Sequence, residues 1–215
     1  MNILYEDEWI IAANKQAGLP VQPDKTNDIS LFDNIEKHLS YKPFLINRID
    51  RPVSGIVIFA KTKESAKQFS EVIQNEETLK TYFAVTENKL ETEKGTLEDY
   101  LIKKNNKAYI AKSKKFGKKA ILNFEFSGKS INYYYYKITI KTGRFHQIRA
   151  QLSNQSCYIK GDIKYGAKRS NKDRSICLHA FSISFHHPFI KKQVDIKADF
   201  PDNSIWNGLI IKNSF

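Results

Sequence analysis

Asn47-Arg48-Ile49-Asp50-Arg51-Pro52-Val53-Ser54-Gly55 leads directly into Ile56-Val57-Ile58-Phe59-Ala60. An unbroken apolar run of this length, without alternation, reads as a strand buried on both faces. Asp50 therefore stands just ahead of a central strand, flanked by Arg48 and Arg51. Cations beside a carboxylate keep it ionised, and a fixed carboxylate with no acidic partner suits nucleophilic attack better than two-carboxylate acid/base work. The same R-x-D-R composition also describes a surface ion-pair cluster, so the chemistry must be judged from the rest of the chain.

On the N-terminal side, residues 3–6 and 9–13 read as a short strand pair turning at Asp7-Glu8, followed by a loop from Lys15 to Pro20 whose glycine and proline end regular structure. Ser30 can cap a helix carrying Leu31, Ile35 and Leu39. Beyond the central strand, Thr62 is a suitable N-cap for a helix with Ala66, Phe69 and Ile73 on one side. Leu79, Thr81, Phe83 and Val85 then alternate with Lys80, Tyr82, Ala84 and Thr86 as a strand does. Residues 103–119 are lysine-rich with no clean period and contain Asn105-Asn106 and Phe116-Gly117, which predicts a hairpin or exposed loop, either a solvated face or an RNA contact. Residues 131–141 predict a long strand ending at Thr142-Gly143-Arg144, where a helix is expected to begin. That helix has Ile148 and Leu152 inside and a polar stripe of His146, Arg149 and Ser153 that can face a site. Strands at 178–185 and 193–198 flank His186-His187-Pro188. With no repeat and no low-complexity linker, residues 1–215 predict a single α+β domain with a mainly antiparallel mixed β-sheet core and flanking helices.

Composition narrows the partners. The chain has 215 residues, 41% of them hydrophobic, enough to bury a substantial core and to argue against a disordered chain. Lys and Arg number 35 against 23 Asp and Glu, and the net charge of +12 favours a polyanion, nucleic acid before anionic lipid. Cys157 and Cys177 have neither CxxC nor zinc spacing and are expected to be ordinary buried thiols. The acidic N-terminus lacks signal-peptide order and no apolar run approaches a bilayer span, so a cytoplasmic location without membrane attachment is expected. His186-His187 lacks further ligands at metal spacing, and no metal site is expected.

Arg48-Ile49-Asp50-Arg51 with Ser54-Gly55 resembles the signature of the pseudouridine synthases of the RluA type. Further blocks match in order: Asn14-Lys15-Gln16-Ala17-Gly18-Leu19-Pro20-Val21, Lys80-Thr81-Tyr82, Thr142-Gly143-Arg144-Phe145-His146-Gln147-Ile148-Arg149, Gly161-Asp162-Ile163-Lys164-Tyr165-Gly166 and Leu178-His179-Ala180. The resemblance spans almost the whole chain and concerns the catalytic domain, with no S4-type RNA-binding domain expected. It implies that Asp50 is the nucleophile, that Tyr82 stacks on the uracil and helps remove the C5 proton, and that Arg149 pairs with Asp50 and holds it as an anion. Arg48 resembles the arginine that fills space near a flipped nucleotide. Arg51, Thr142, Gly143, Arg144, His146 and Gln147 are the further candidates for substrate binding. Free amides at a helix start beside Arg144 can hold a phosphate. His146 and His179 are read as structural hydrogen-bonders rather than acids or bases.

The implied reaction breaks the N1–C1′ bond of a uridine, turns the base and rejoins it through C5. The sequence leaves open whether Asp50 attacks C1′ or C6, with C1′ favoured. Nothing is oxidised or transferred away, so no cofactor is expected, and the chain has no G-x-G-x-x-G, P-loop or H-E-x-x-H motif. The expected partner is RNA, ribosomal or transfer, acted on by a monomer. Asn47, Ile49, Val53 and Gln16 depart from commoner family residues at positions with no proposed catalytic group. The alternatives are a catalytically silent RNA-binding domain, which has no use for Asp50, Tyr82 and Arg149 together, and another base-flipping enzyme such as a glycosylase or nuclease. A metal-dependent nuclease wants clustered carboxylates, where the segments around Asp50 and Arg149 are basic.

Overall fold

A computed structural model describes residues 1–210, and within the last helix the side chains through Gly208. The elements run β1 (Asn2–Glu6), β2 (Ile10–Lys15), α1 (Leu31–Leu39), β3 (Phe44–Leu45), β4 (Ser54–Ala60), α2 (Lys63–Gln74), β5 (Leu79–Thr86), β6 (Lys94–Lys104), β7 (Lys107–Ile110), β8 (Lys118–Lys129), β9 (Tyr134–Ile140), α3 (Gln147–Asn154), β10 (Leu178–His186), β11 (Gln193–Lys197) and α4 (Ser204–Ile210). They form two compact units, residues 1–80 with 179–200, and residues 81–178 with the C-terminal segment from Pro201. The fold class is the expected α+β with a mixed sheet. No helix among the described residues is long and apolar enough to cross a membrane.

In the first unit β4 is the central strand. It pairs antiparallel with β2, from Ile10↔Ala60 to Lys15↔Gly55, and parallel with β10, through His179↔Ser54 and Ala180↔Gly55. Neighbours on both edges and cover on both faces explain why all seven of its residues are buried and why the run is apolar throughout. β1 extends the sheet beyond β2, β11 pairs with β10, and the two-residue β3 pairs with β4. Helix α2 starts on the Thr62 capping box and lays Phe69 and Ile73 on Ile56, Ile58, Ile183 and Phe185. Removing the Phe69 side chain from this cluster costs about 3–5 kcal/mol. α1 starts as expected at Ser30, whose hydroxyl accepts from the Asp33 amide while the Asp33 carboxylate takes the Ser30 N–H.

In the second unit the strand order is β5, β9, β8, β6, β7. β6 and β8 are antiparallel strands over Lys94↔Glu125 to Leu101↔Lys118, neither of which was expected from the sequence. Most of β6 is exposed and polar residues fall on both of its faces, so it carries no clean alternation to read. The expected hairpin within 103–119 is present: β6 and β7 turn at Asn105-Asn106, both at positive φ as a two-residue type I′ turn requires. β9 starts at Tyr134, because Ile131 lies fully exposed in the preceding turn.

Helix α3 is a correction. It begins at Gln147, not at Thr142, because His146 at φ 50 cannot continue a right-handed helix backwards. Of its polar stripe, Arg149 is buried and His146 and Ser153 are half-buried, while Gln147 and Gln151 are buried alongside Ile148 and Leu152. The C-terminal α4 was not anticipated.

Candidate active site

Asp50 sits in the irregular segment between β3 and β4, where the one local backbone bond is a turn from Val53 N–H to the Asp50 carbonyl at 3.0 Å. Its position is therefore set by what holds the segment on either side. Upstream, Asn47 bonds β4 as another strand would, with Oδ1 accepting from Ile58 N–H at 2.7 Å and Nδ2 donating to the Ile56 carbonyl at 3.3 Å. Downstream, Ser54 donates from its hydroxyl to His179 Nδ1 at 2.8 Å, while Nε2 of that ring faces the Ala198 carbonyl at 3.4 Å. Gly55 has φ +113, and a Cβ there would lie 2.2 Å from the Ala180 carbonyl oxygen, so the Ser54-Gly55 pair is what lets β10 run alongside β4. Arg48 is exposed and Asp50 half-buried.

Lys15, at the end of β2, was missed by sequence reasoning as part of this site. It is fully buried, and its Nζ donates to the carbonyls of Gln16 at 2.9 Å, Leu19 at 2.8 Å and Arg51 at 3.1 Å. Three carbonyl acceptors match the three donors of an ammonium. Burial pulls the Lys15 pKa down to about 7, opposed by the charge of Asp50 and reinforced by that of Arg51. The signal in the sequence was a lysine just beyond the apolar run Ile10 to Ala13, one residue after Asn14.

The remaining candidates lie in the second unit. Tyr82 is half-buried in β5. Arg149 forms a fork with Asp162, Nε to Oδ2 at 2.7 Å and Nη2 to Oδ1 at 2.8 Å, both side chains almost fully buried. Its guanidinium also lies 4.9 Å from the centre of the Tyr165 ring. The bidentate geometry fixes the plane of the guanidinium, which a lysine cannot reproduce. Asp162 belongs to the block from Gly161 to Gly166, whose role the sequence did not reveal. The same block places Tyr165, whose hydroxyl accepts from Ala108 N–H at 2.7 Å and lies 2.9 Å from His146 Nδ1. His146 stacks on Phe145 with centroids 3.8 Å apart, and burial first, then the charge of Arg149, pushes its pKa down to about 3. Both effects favour the neutral ring near neutral pH.

Thr142 and Gln147 hold each other. The Thr142 hydroxyl donates to Gln147 Oε1 at 2.8 Å and accepts from Ile121 N–H, while Gln147 Nε2 donates to the Ile121 carbonyl. The Arg144 amide, expected as part of a phosphate cradle, donates to Gln147 Oε1 at 3.0 Å, and Arg144 Nε donates to the Lys119 carbonyl at 2.8 Å. Gly143 is exposed beside them. The structure thus brings Thr142, Arg144 and Gln147 into one bonded corner between β8 and α3. Asp50 and Arg51 lie near Lys15 in the first unit, with Arg48 exposed in the same segment. Both cysteines are buried, as expected, and burial raises their pKa values.

The family model for RNA pseudouridylate synthase matches residues 9–154. The chain is 28% identical to tRNA pseudouridine synthase C of Vibrio parahaemolyticus, over 99% of this chain and 94% of that protein. It is 30% identical to ribosomal large subunit pseudouridine synthase C of Buchnera aphidicola, over 97% of this chain and 70% of that one. Among solved structures, human RNA pseudouridylate synthase domain containing 4 matches 98% of this chain and 92% of its own with a TM-score of 0.78 at 19% identity, a likeness of fold.

Proposed function

Since this chain belongs to the RNA pseudouridylate synthase family, a family of isomerases with relatives of the RluA type, we propose that it converts uridine to pseudouridine in RNA with Asp50 as the nucleophile. The observation that carries the reading is the placement of Asp50 in a short loop at the head of the central strand, supported on both sides by side chains that bond backbone. A nucleophile needs this kind of fixed approach, because about 1 Å of misplacement costs on the order of 10²-fold in rate.

In the proposed reaction the Asp50 carboxylate attacks C1′ of a flipped-out uridine and the N1–C1′ bond breaks, with the electron pair leaving on the uracil. The uracil turns within the pocket, C5 takes the place of N1 on C1′, and the carboxylate is released. The proton on C5 is then lost, with the Tyr82 hydroxyl serving the transfer, and N1 ends protonated, so the product is an isomer of the substrate. Arg149 serves as the cation that favours the carboxylate, and the Asp162 fork supports that role by fixing its guanidinium plane. Arg48, exposed beside Asp50, is suited to the space a flipped base leaves, and Arg144 and its corner to the flanking phosphates. The net charge of +12 supports an RNA partner. One relative is named for transfer RNA and another for the large ribosomal subunit, so the substrate class is RNA of either kind.

Asp50→Asn tests the assignment, because the amide is nearly isosteric but a poor nucleophile. The expected outcome is loss of isomerisation with RNA affinity and melting temperature close to wild type. Tritium release from C5-labelled RNA measures the rate, and turnover at the wild-type rate in this variant refutes the nucleophile.

A further inference from the structure

Arg51 follows the proposed nucleophile directly, and its bonds point back into the protein. Its carbonyl accepts from Gly18 N–H at 2.8 Å and from Lys15 Nζ at 3.1 Å, and its Nε donates back to the Gly18 carbonyl at 2.8 Å. This reciprocal pair is open to Gly18 because the residue sits at φ +88. Further along the same loop, Arg51 Nη1 reaches Thr26 Oγ1 at 3.0 Å and Asp24 Oδ2 at 3.3 Å, and Nη2 pairs with Asp28. Thr26 ties the two carboxylates together, its hydroxyl 2.6 Å from Asp24 Oδ1 and 2.9 Å from Asp28 Oδ2. The loop is in turn anchored to α1, whose Leu31 and Phe32 amides donate to the Pro20 and Val21 carbonyls. Thr26 and Arg51 hold the Asp24 and Asp28 carboxyls below the usual range, so both pair as anions near neutral pH.

We infer that Arg51 is a positioning residue: through Gly18, Asp24 and Asp28 it clamps the loop of residues 18–28 onto the Asp50 turn and so sets the nucleophile's approach. Its guanidinium serves this loop and not an RNA phosphate, which replaces the substrate-binding role that the sequence suggested. The inference rests on the reading of Asp50 as nucleophile. Its physical basis is that no helix or strand holds residues 46–53, so the clamp supplies on the downstream side the constraint that Asn47 supplies upstream. Because the carboxylates are exposed, the pairs contribute little to global stability, and the consequence is expected in the rate.

The test uses the sign of the charge removed. Arg51→Gln deletes a cation, whereas Asp24→Asn with Asp28→Asn deletes two anions and leaves the guanidinium in place. Binding to total RNA from cells lacking the gene, and the single-turnover rate at saturating RNA, are measured for both. A clamp predicts that both variants lower the saturating rate, by about 10- to 100-fold, with RNA affinity changed less than threefold. Combining all three substitutions should add little to the larger single effect, and Arg51→Lys should restore part of the rate. A phosphate ligand predicts opposite signs instead: Arg51→Gln weakens binding and flattens its salt dependence, while the aspartate variant binds RNA more tightly and keeps its rate. That result, or a wild-type rate in both variants, overturns the inference. If Arg51→Gln fails to fold, the aspartate pair decides alone. Asp50→Asn in the same assay separates the two failures: turnover there refutes the nucleophile, whereas its loss with unaffected Arg51 and aspartate variants refutes only the clamp.

Discussion

His179 shows how much a single buried side chain carries here. It is fully buried, accepts the Ser54 hydroxyl at Nδ1 and joins β10 to the head of β4. Burial pushes its pKa down from 6.5 to about 4. Above pH 6.5 the ring is neutral in the folded and the unfolded chain alike. Between pH 6.5 and about 4 only the unfolded chain takes up the proton, so stability present above 6.5 is lost as the pH falls through that window. At pH 5 the loss from this residue alone is about 2 kcal/mol, and His146 acts in the same direction. Denaturant unfolding at pH 7.5 and pH 5 checks this: wild type should lose more stability on acidification than His179→Gln. Equal losses would show that the acid sensitivity lies elsewhere.

At the scale of elements, the β6–β7 hairpin and the loop after it set two groups of lysines of the basic segment apart. Lys103 lies over the Phe145 ring at 4.5 Å, Lys107 over Tyr165 at 4.9 Å, and Lys119 pairs with Glu98 at 2.9 Å, so these cations already have partners in the fold. Lys112, Lys114, Lys115 and Lys118 are exposed around the turn that joins β7 to β8. If this segment touches RNA, these four meet phosphates and add affinity without reading bases. Replacing them by alanine should weaken binding and flatten the slope of log affinity against log salt by about 3, while the single-turnover rate at saturation stays near wild type. Tyr82→Phe should do the reverse, lowering the saturating rate and leaving the salt slope unchanged. A wild-type slope in the lysine variant would assign the four lysines to a solvated face.

For the whole molecule, the reaction conserves every atom of the substrate and changes no oxidation state, so neither an organic cofactor nor a Lewis acid has a necessary part in it. Purified protein and RNA in excess EDTA should therefore sustain full turnover, with the RNA folded beforehand in monovalent salt so that loss of RNA structure is not mistaken for loss of catalysis. Activity that disappears on chelation and returns with one particular metal would refute the cofactor-free mechanism. The charge excess acts at this scale too: it accelerates association with any RNA, and the rate of capture should fall steeply with ionic strength while the chemical step does not.

Periodicity, capping and composition alone disclosed the apolar central strand, the helices begun by Ser30 and Thr62, and a lone carboxylate between arginines at the head of that strand. Each of these is local: a buried strand must be apolar, a capping hydroxyl must precede its helix by one residue, and the charges beside Asp50 are its neighbours in the chain. The exposed β6 was hidden because a strand with polar residues on both faces has no alternation. Partner choice was equally hidden. Nothing near Arg149 in sequence marks Asp162 as the carboxylate of its fork, nothing near Arg51 marks Gly18, 33 residues away, and nothing near Ser54 marks His179, 125 residues away. Sequence pattern determines which groups leave water, whereas the tertiary structure decides which polar groups meet once they have left it, because a buried donor must be paired by whatever the packing brings within about 3 Å.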